Sequence, residues 1–231
     1  MKVVAVIPAR GGSKGIPRKN LAEVNGRPLI AYSVEAALSA QAMDHVIVST
    51  DDEEIATVSR SLGAEVPFLR PASLSDDVAP MLAVLRHTLE WCESRMDVEA
   101  IVLLQPTSPL RTCRHIDESM ALFRSQSLTS VVSVVEVPHN FNPVSVMKLS
   151  DDGMLQSFLE SSQQIARRQD KPVVYARNGP AVLVCSPVTI HQGELYGARC
   201  MPYIMTAQDS LDIDTLEDLK LAEEILSGRR V

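Results

Sequence analysis

Uninterrupted apolar runs alternate along the chain with segments whose apolar positions recur at helical spacing. KVVAVIPA, HVIVS and AIVLLQP show no polar alternation, so both faces of each strand must be covered. Between them PLIAYSVEAALSA, EEIATVSRSLG and APMLAVLRHTLEWCESR read as amphipathic helices. Pro28 suits the start of the first, and Gly63 the C-terminal cap of the second. EVPFLRP reads as a short extra strand, HIDESMALFRSQ as a helix and SVVSVVEV as another buried strand. This rhythm predicts an α/β fold, a mostly parallel central sheet with helices on both faces, in one domain over residues 1–231. From about 138 to 178 it breaks into prolines, short strand patterns and polar turns, the mark of an inserted subdomain. The chain closes on DSLDIDTLEDLKLAEEILSG, an acidic turn running into a helix that Asp214 or Thr215 would cap.

Composition narrows the function classes. With 231 residues, 45% of them hydrophobic, the chain can bury a sizeable core. A net charge of −7 excludes a surface that binds nucleic acid or anionic membrane throughout. No apolar stretch approaches the roughly 20 residues that span a bilayer, and no secretory signal pattern stands at the start; a cytoplasmic protein is expected. Cys92, Cys113, Cys185 and Cys200 are scattered without a CxxC pair, which predicts reduced thiols and no zinc site.

Ligands of parallel sheets bind where the strands end, and the unusual loops here, PARGGSKG, STDD and QPTSPLR, all follow strands. The first continues to Asn20 and sets Arg10, Lys14, Arg18 and Lys19 among three glycines. It is not a Walker A loop, because Gly15 follows Lys14, and GxGxxG is absent too. Its chemistry still suits phosphate: Gly11, Gly12 and Gly15 let backbone N–H groups approach an anion, and the cations supply charge. Four such cations repel one another unless an anion joins them. Asn20 either orients this loop or contacts a ligand, and Ser49–Asp52 either contacts a ligand or caps the next helix. Gln105 and Ser108 offer polar groups to a base, ribose or sugar, and Arg111 suits a carboxylate or phosphate; the other reading is a structural turn stiffened by Pro106 and Pro109. Asp212 and Asp214, at i and i+2 of an extended segment, point to one side and can share a hard cation; otherwise they are solvated acids like Asp209.

The loop ARGGSKGIPRKN is similar to the ARxxSKxxxxKN signature of the acylneuraminate cytidylyltransferases, the CMP-sialic acid synthetases and their relatives for other nonulosonic acids. RPASLSDD, LLQPTSPLR, RRQ, NG and QDSLDIDT follow in that family's order and at roughly its spacing. The resemblance implies a nucleotide-diphospho-sugar transferase-like, Rossmann-like domain with a small protruding subdomain that makes a homodimer. It implies magnesium-dependent transfer of CMP from CTP to the anomeric hydroxyl of a sugar acid, releasing pyrophosphate. Arg10, Lys19 and Asn20 would contact the triphosphate, with Gly11, Gly12, Ser13 and Lys14 in the same loop and Arg70 and Asp77 in the segment closing over the nucleotide. Asp212 and Asp214 would hold Mg2+ and, with Arg10 and Lys19, carry catalysis. Gln105, Ser108, Arg111, Arg168, Gln169 and Asn178 would face the acceptor; Arg168 and its neighbour Arg167 suit a subunit interface or the surface equally. Pro80 and Met81 replace the small hydroxyl residues usual near the cytosine, and NGPAVLV lacks the family's tyrosine. The acceptor therefore stays open among sialic, legionaminic, pseudaminic or related acids, or a phosphonate. A sugar 1-phosphate acceptor or a different nucleotide is the alternative within enzymes. A nucleotide-sensing regulatory protein is the alternative outside them, and the paired aspartates argue against it.

Overall fold

The computed structural model describes residues 1–13, 15–76, 78–159 and 167–228. Its first half runs β1 (Lys2–Pro8), a two-residue-per-strand hairpin of β2 (Glu23–Val24) and β3 (Arg27–Pro28), α1 (Leu29–Leu38), β4 (His45–Ser49), α2 (Glu53–Ser61), α3 (Met81–Glu93), β5 (Val98–Leu103) and α4 (Cys113–Ser125). Then come β6 (Ser130–Glu136), β7 (Met147–Leu149), β8 (Leu155–Ser157), β9 (Tyr175–Arg177), β10 (Leu183–Cys185), α5 (Pro187–His191), β11 (Cys200–Met205) and α6 (Leu216–Leu226).

The central sheet has the order β11-β6-β10-β5-β1-β4, with β9 also on β6. β1 is parallel to β4 and β5, and β11 is parallel to β6. β10 is antiparallel to both neighbours and β9 is antiparallel to β6, so the sheet is mostly parallel with two reversed strands. Register puts Val6 opposite Ile47 on one side and Leu103 on the other. The loops after β1, β4 and β5 therefore leave from one edge.

Alternate residues of β1 enter different cores, which is why its sequence has no polar face. Val3, Ala5 and Ile7 pack with Ile30 and Val34 of α1, Ile55 of α2 and Ile116 and Met120 of α4. Val4 and Val6 pack with Leu85 and Leu89 of α3 and Ile190 of α5. Each such side chain, fully removed from water, contributes roughly 1.5–3 kcal/mol. A third, smaller core joins Ile16, Val24, Leu29, Ile213 and Ala222 and seats α6 against the first loop.

EVPFLRP is not a strand. Two isolated parallel bridges, Ile47 to Glu65 and Thr50 to Leu69, are all that forms, because Pro67 and Pro71 lack the N–H groups a ladder needs. Gly63 does follow the end of α2, at φ +97°. Among the described residues of 138–178, β7 and β8 make a separate two-stranded hairpin, and β9 returns to the main sheet. All four cysteines are free thiols. Burial pushes Cys92 up to about 11 and Cys185 up to about 12, so neither ionises at neutral pH. No described helix is long and apolar enough to cross a membrane.

Candidate active site

A cavity of about 420 Å³ opens at the edge where β1, β4 and β5 end. Arg10, Lys19, Arg70, Asp76 and Asp214 line it with charge, and Leu74, Ala79, Met81 and Val84 line it with apolar surface; Gln105, Pro106 and Thr107 come from the loop after β5.

Local bonds explain the shape of the first loop. Asn20 is buried and its Nδ2 donates to the carbonyl of Arg10 at 2.9 Å, tying the two ends of the loop together. Asn20 also lines the cavity. The Gly11 amide donates to Asp51 Oδ1 at 3.0 Å rather than facing the cavity. A side chain at Gly11 would meet Asp52 Oδ2 at 2.7 Å, and one at Gly15 would meet the Asp214 carbonyl at the same distance. Gly12 borders open space.

The expectation that the loop's cations need an outside anion is corrected by the fold. Arg18 sits in the left-handed region at φ 53°, and its Nη2 reaches Glu54 at 2.8 Å and Asp52 at 3.4 Å. Asp52 also caps α2, accepting from the amides of Glu54 and Ile55, as the capping alternative held. Lys19 Nζ donates to the Ile213 carbonyl at 2.8 Å and to Asp214 Oδ1 at 3.0 Å. Acids far away in sequence thus neutralise Arg18 and Lys19. Lys14 and Asp77 lie outside the described residues, as does the side chain of Arg168.

Arg70 is buried, with Nη2 3.7 Å from Asp51 Oδ1. Burial holds its pKa below the usual arginine value against the pull of Asp51, and Arg10 nearby lowers it further. Two guanidinium groups thus share the cavity lining, where an anion would relieve their repulsion.

Asp212 and Asp214 flank Ile213, which is fully buried in the third core. The Ile213 amide donates to the Thr107 carbonyl at 2.8 Å. With residue 213 pinned inward, its two neighbours project the other way. Asp214 is exposed, whereas Asp212 Oδ1 is buried with no partner. Burial raises the Asp212 pKa, partly offset by a hydrogen bond from Thr107, and Asp214 raises it further. Thr215, not Asp214, caps α6: its side chain accepts from Asp218, whose carboxylate accepts from the Asp214 and Thr215 amides. Asp214 therefore keeps its carboxylate outside the cap. An unpartnered buried oxygen beside a second carboxylate fits a hard, oxygen-loving cation such as Mg2+, which commonly takes one or two carboxylates and completes its shell with water and phosphate. No group of three or more His, Cys, Asp or Glu suited to a metal occurs among the described residues.

The other expected residues divide between the cavity lining and the packing around it. Gln105 lines the cavity and donates through Nε2 to the Gly179 carbonyl at 2.8 Å. Ser108 and Arg111 are buried behind it. Arg111 Nη1 donates to the carbonyls of Gln105 and Ala181, both at 3.0 Å, and burial takes its pKa down to about 9. Asn178 is also buried, accepting from Ser133 at 2.6 Å and donating to Ser210 at 2.8 Å. Gln169 is exposed on the turn Arg168–Asp170, outside the cavity lining. Asp51 falls within the candidate stretch Ser49–Asp52, whereas sequence reasoning missed Thr107, whose signal was its place inside QPTSPLR.

The match to a family model described as "Cytidylyltransferase" runs over residues 4–230. An N-acylneuraminate cytidylyltransferase of Escherichia coli O18:K1:H7 is 36% identical over 96% of this chain, which spans about half (51%) of that relative's length. A pseudaminic acid cytidylyltransferase of Campylobacter jejuni is 31% identical, with 96% of this chain and 95% of the relative covered. A CMP-N,N'-diacetyllegionaminic acid synthase of Legionella pneumophila is 32% identical, with 98% and 97% covered. In fold, the chain is similar to a CMP:2-keto-3-deoxy-manno-octonic acid synthetase complexed with CTP, at TM-score 0.74 and 16% identity over 99% of this chain and all of that one. The chain belongs to the cytidylyltransferase family.

Proposed function

We propose that this protein transfers CMP from CTP to the anomeric hydroxyl of a nonulosonic-type sugar acid and releases pyrophosphate. The observation that carries the reading is the lining of the cavity: Arg10, Lys19 and Arg70 share it with apolar Leu74, Ala79, Met81 and Val84, and Lys19 pairs there with Asp214. A nucleoside triphosphate likewise joins an anionic chain to a flat base. The acid hydroxyl forms a bond to the α-phosphorus as the bond to the β-phosphate oxygen breaks, and the electron pair leaves with pyrophosphate. Arg10, Lys19 and Arg70 stabilise the charge that builds on this leaving group. Asp212 and Asp214 would hold magnesium, which when bound supplies a Lewis acid that polarises the α-phosphate and lowers the pKa of the attacking hydroxyl. Leu74, Ala79, Met81 and Val84 carry no hydrogen-bonding side chain, so preference for cytosine falls on backbone groups.

A homodimer belongs to the same reading. The hairpin of β7 and β8 and its flank expose Leu149, Met154, Leu155 and Phe158, each more than half accessible, and a second copy would cover them. The cytoplasm suits an enzyme that draws on CTP.

Pyrophosphate release measured with each of the four nucleoside triphosphates, against keto-sugar acids, sugar 1-phosphates and phosphonates, tests the proposal. Release confined to CTP with a nonulosonic acid supports it. Release with a sugar 1-phosphate moves the acceptor assignment, and tight CTP binding without release under any acceptor sinks the enzyme reading.

A further inference from the structure

Behind the cavity, the turn that leads into the aspartate pair rests on a histidine. His115 is the third residue of α4 and is 3% exposed. Its Nδ1 accepts from the Thr112 amide at 3.1 Å, taking the place usually filled by Glu or Gln in a capping box. That bond settles the tautomer: in the neutral ring the proton sits on Nε2. Nε2 faces Asp209 Oδ2 at 3.7 Å. Asp209 is not the solvated acid its sequence suggests. Its carboxylate accepts from Thr206 Oγ1 at 2.7 Å and its amide donates back to that oxygen at 3.0 Å, closing the turn that follows β11. The next residue, Ser210, accepts from Asn178, and Asp212 follows two positions later.

The groups around the imidazole come from α4, the loop before it, β11 and the turn that follows β11. Arg114 Nη2 approaches Nε2 at 3.4 Å from the solvent side, and Glu118 lies one turn along α4. Tyr203 of β11 stands with its ring centroid 6.1 Å away and donates its hydroxyl to Glu118, and Arg111 adds positive charge from the preceding loop. Asp209 is the acid that the turn itself presents to His115.

We propose that His115 is a positioning residue: through Asp209 it fixes the 206–211 turn, and thereby the place of Asp212 and Asp214. The proposal rests on the reading that these two aspartates hold the divalent cation. His115 does not touch substrate. Its Nδ1 is bonded to the start of α4, and its Nε2 edge lies 3.7 Å from Asp209 Oδ2 of the acidic strap, a facing contact rather than a hydrogen bond.

His115→Gln tests this, because glutamine keeps an acceptor for the Thr112 amide while withdrawing the ring edge from Asp209. In the ligand-free variant, hydrogen exchange of a peptide covering 206–214 is expected to quicken while peptides of α4 stay unchanged. Mn2+ titrated into the full chain with saturating CTP, read by water-proton relaxation, is expected to bind on the order of 10-fold more weakly, as when outer partners of metal ligands are lost. CTP binding without divalent cation should not change. The double variant with Asp209→Ala should bind Mn2+ no more weakly than Asp209→Ala alone. Wild-type exchange or wild-type Mn2+ affinity in His115→Gln overturns the proposal, as does strict additivity in the double variant. Wild-type protein that binds Mn2+ no better than Asp212→Asn removes the metal assignment itself, and the proposal with it.

Discussion

The ammonium of Lys19 lies 3.0 Å from the carboxylate of Asp214, a residue 195 positions later in the chain. Lys19 is mostly covered and Asp214 mostly exposed, so the pair joins a fixed cation to an acid that faces the cavity. Lys19→Met keeps the stem and removes the charge. Pyrophosphate release is expected to fall by about 10²–10³, the usual cost of losing one stabilising donor at a developing anion. Loss of the pair itself should cost the fold no more than about 1 kcal/mol. Steady-state kinetics and urea unfolding read the two effects separately; near-normal turnover would exclude Lys19 from catalysis.

Asp212 carries a stability signature of its own. Burial raises its folded pKa above the ordinary aspartate value. The folded carboxyl therefore holds its proton more tightly than the unfolded one, and the group favours the fold fully only below its unfolded pKa. That contribution is lost as pH rises through the folded value. Asp212→Asn is thus expected to abolish turnover yet melt higher than wild type at neutral pH in the ligand-free state. A gain of about 2–4 °C would correspond to ~1 kcal/mol in a chain of this size. Melting curves from pH 4 to pH 8 check the sign, since the gap must narrow toward pH 4.

Two glycines of one loop separate close approach from mere permissiveness. Gly15→Ala drives a methyl group into the Asp214 carbonyl, whereas Gly12→Ala points into open space. The first is expected to destabilise by about 1–3 kcal/mol and to displace the acidic strap, lowering turnover. The second should stay within about 0.5 kcal/mol of wild type. Parallel urea titrations decide it, and equal effects would contradict the approach of strap to loop.

Leu149 and Leu155 are cross-strand partners on the exposed hairpin. Their joint replacement by Glu is expected to halve the sedimenting mass if the hairpin is the proposed dimer contact. An unchanged dimer would place the contact elsewhere.

The buried strands and long helices were legible because their patterns are local: β1, β4, β5 and β6 are apolar runs, and α1 to α4 repeat at helical spacing. β10, α5 and β11 were not assigned. β10 spans only three residues just after the Gly179–Pro180 pair, and β11 contains Pro202 and leaves Ile204 exposed. At the site, residue types announced the anion-binding loop, but not which cations were already paired. Arg18 meets Asp52 and Glu54, and Lys19 meets Asp214, across separations that no spacing rule connects. Arg111 looked like a ligand contact because arginine in a turn usually faces water. Only when Ala181 packs over it does it become a strut between two loops.

The chain leaves the sheet after β6 and re-enters it through β9, which runs the opposite way with Tyr175 facing Glu136, so both ends of the intervening excursion lie on one rim. An excursion tethered so can be lengthened, shortened or exchanged as a cassette without shifting the register of any strand. The cavity proposed for the nucleotide is hung from other loops of that rim. Under the proposed function, selection could then alter the excursion while leaving the nucleotide cavity in place.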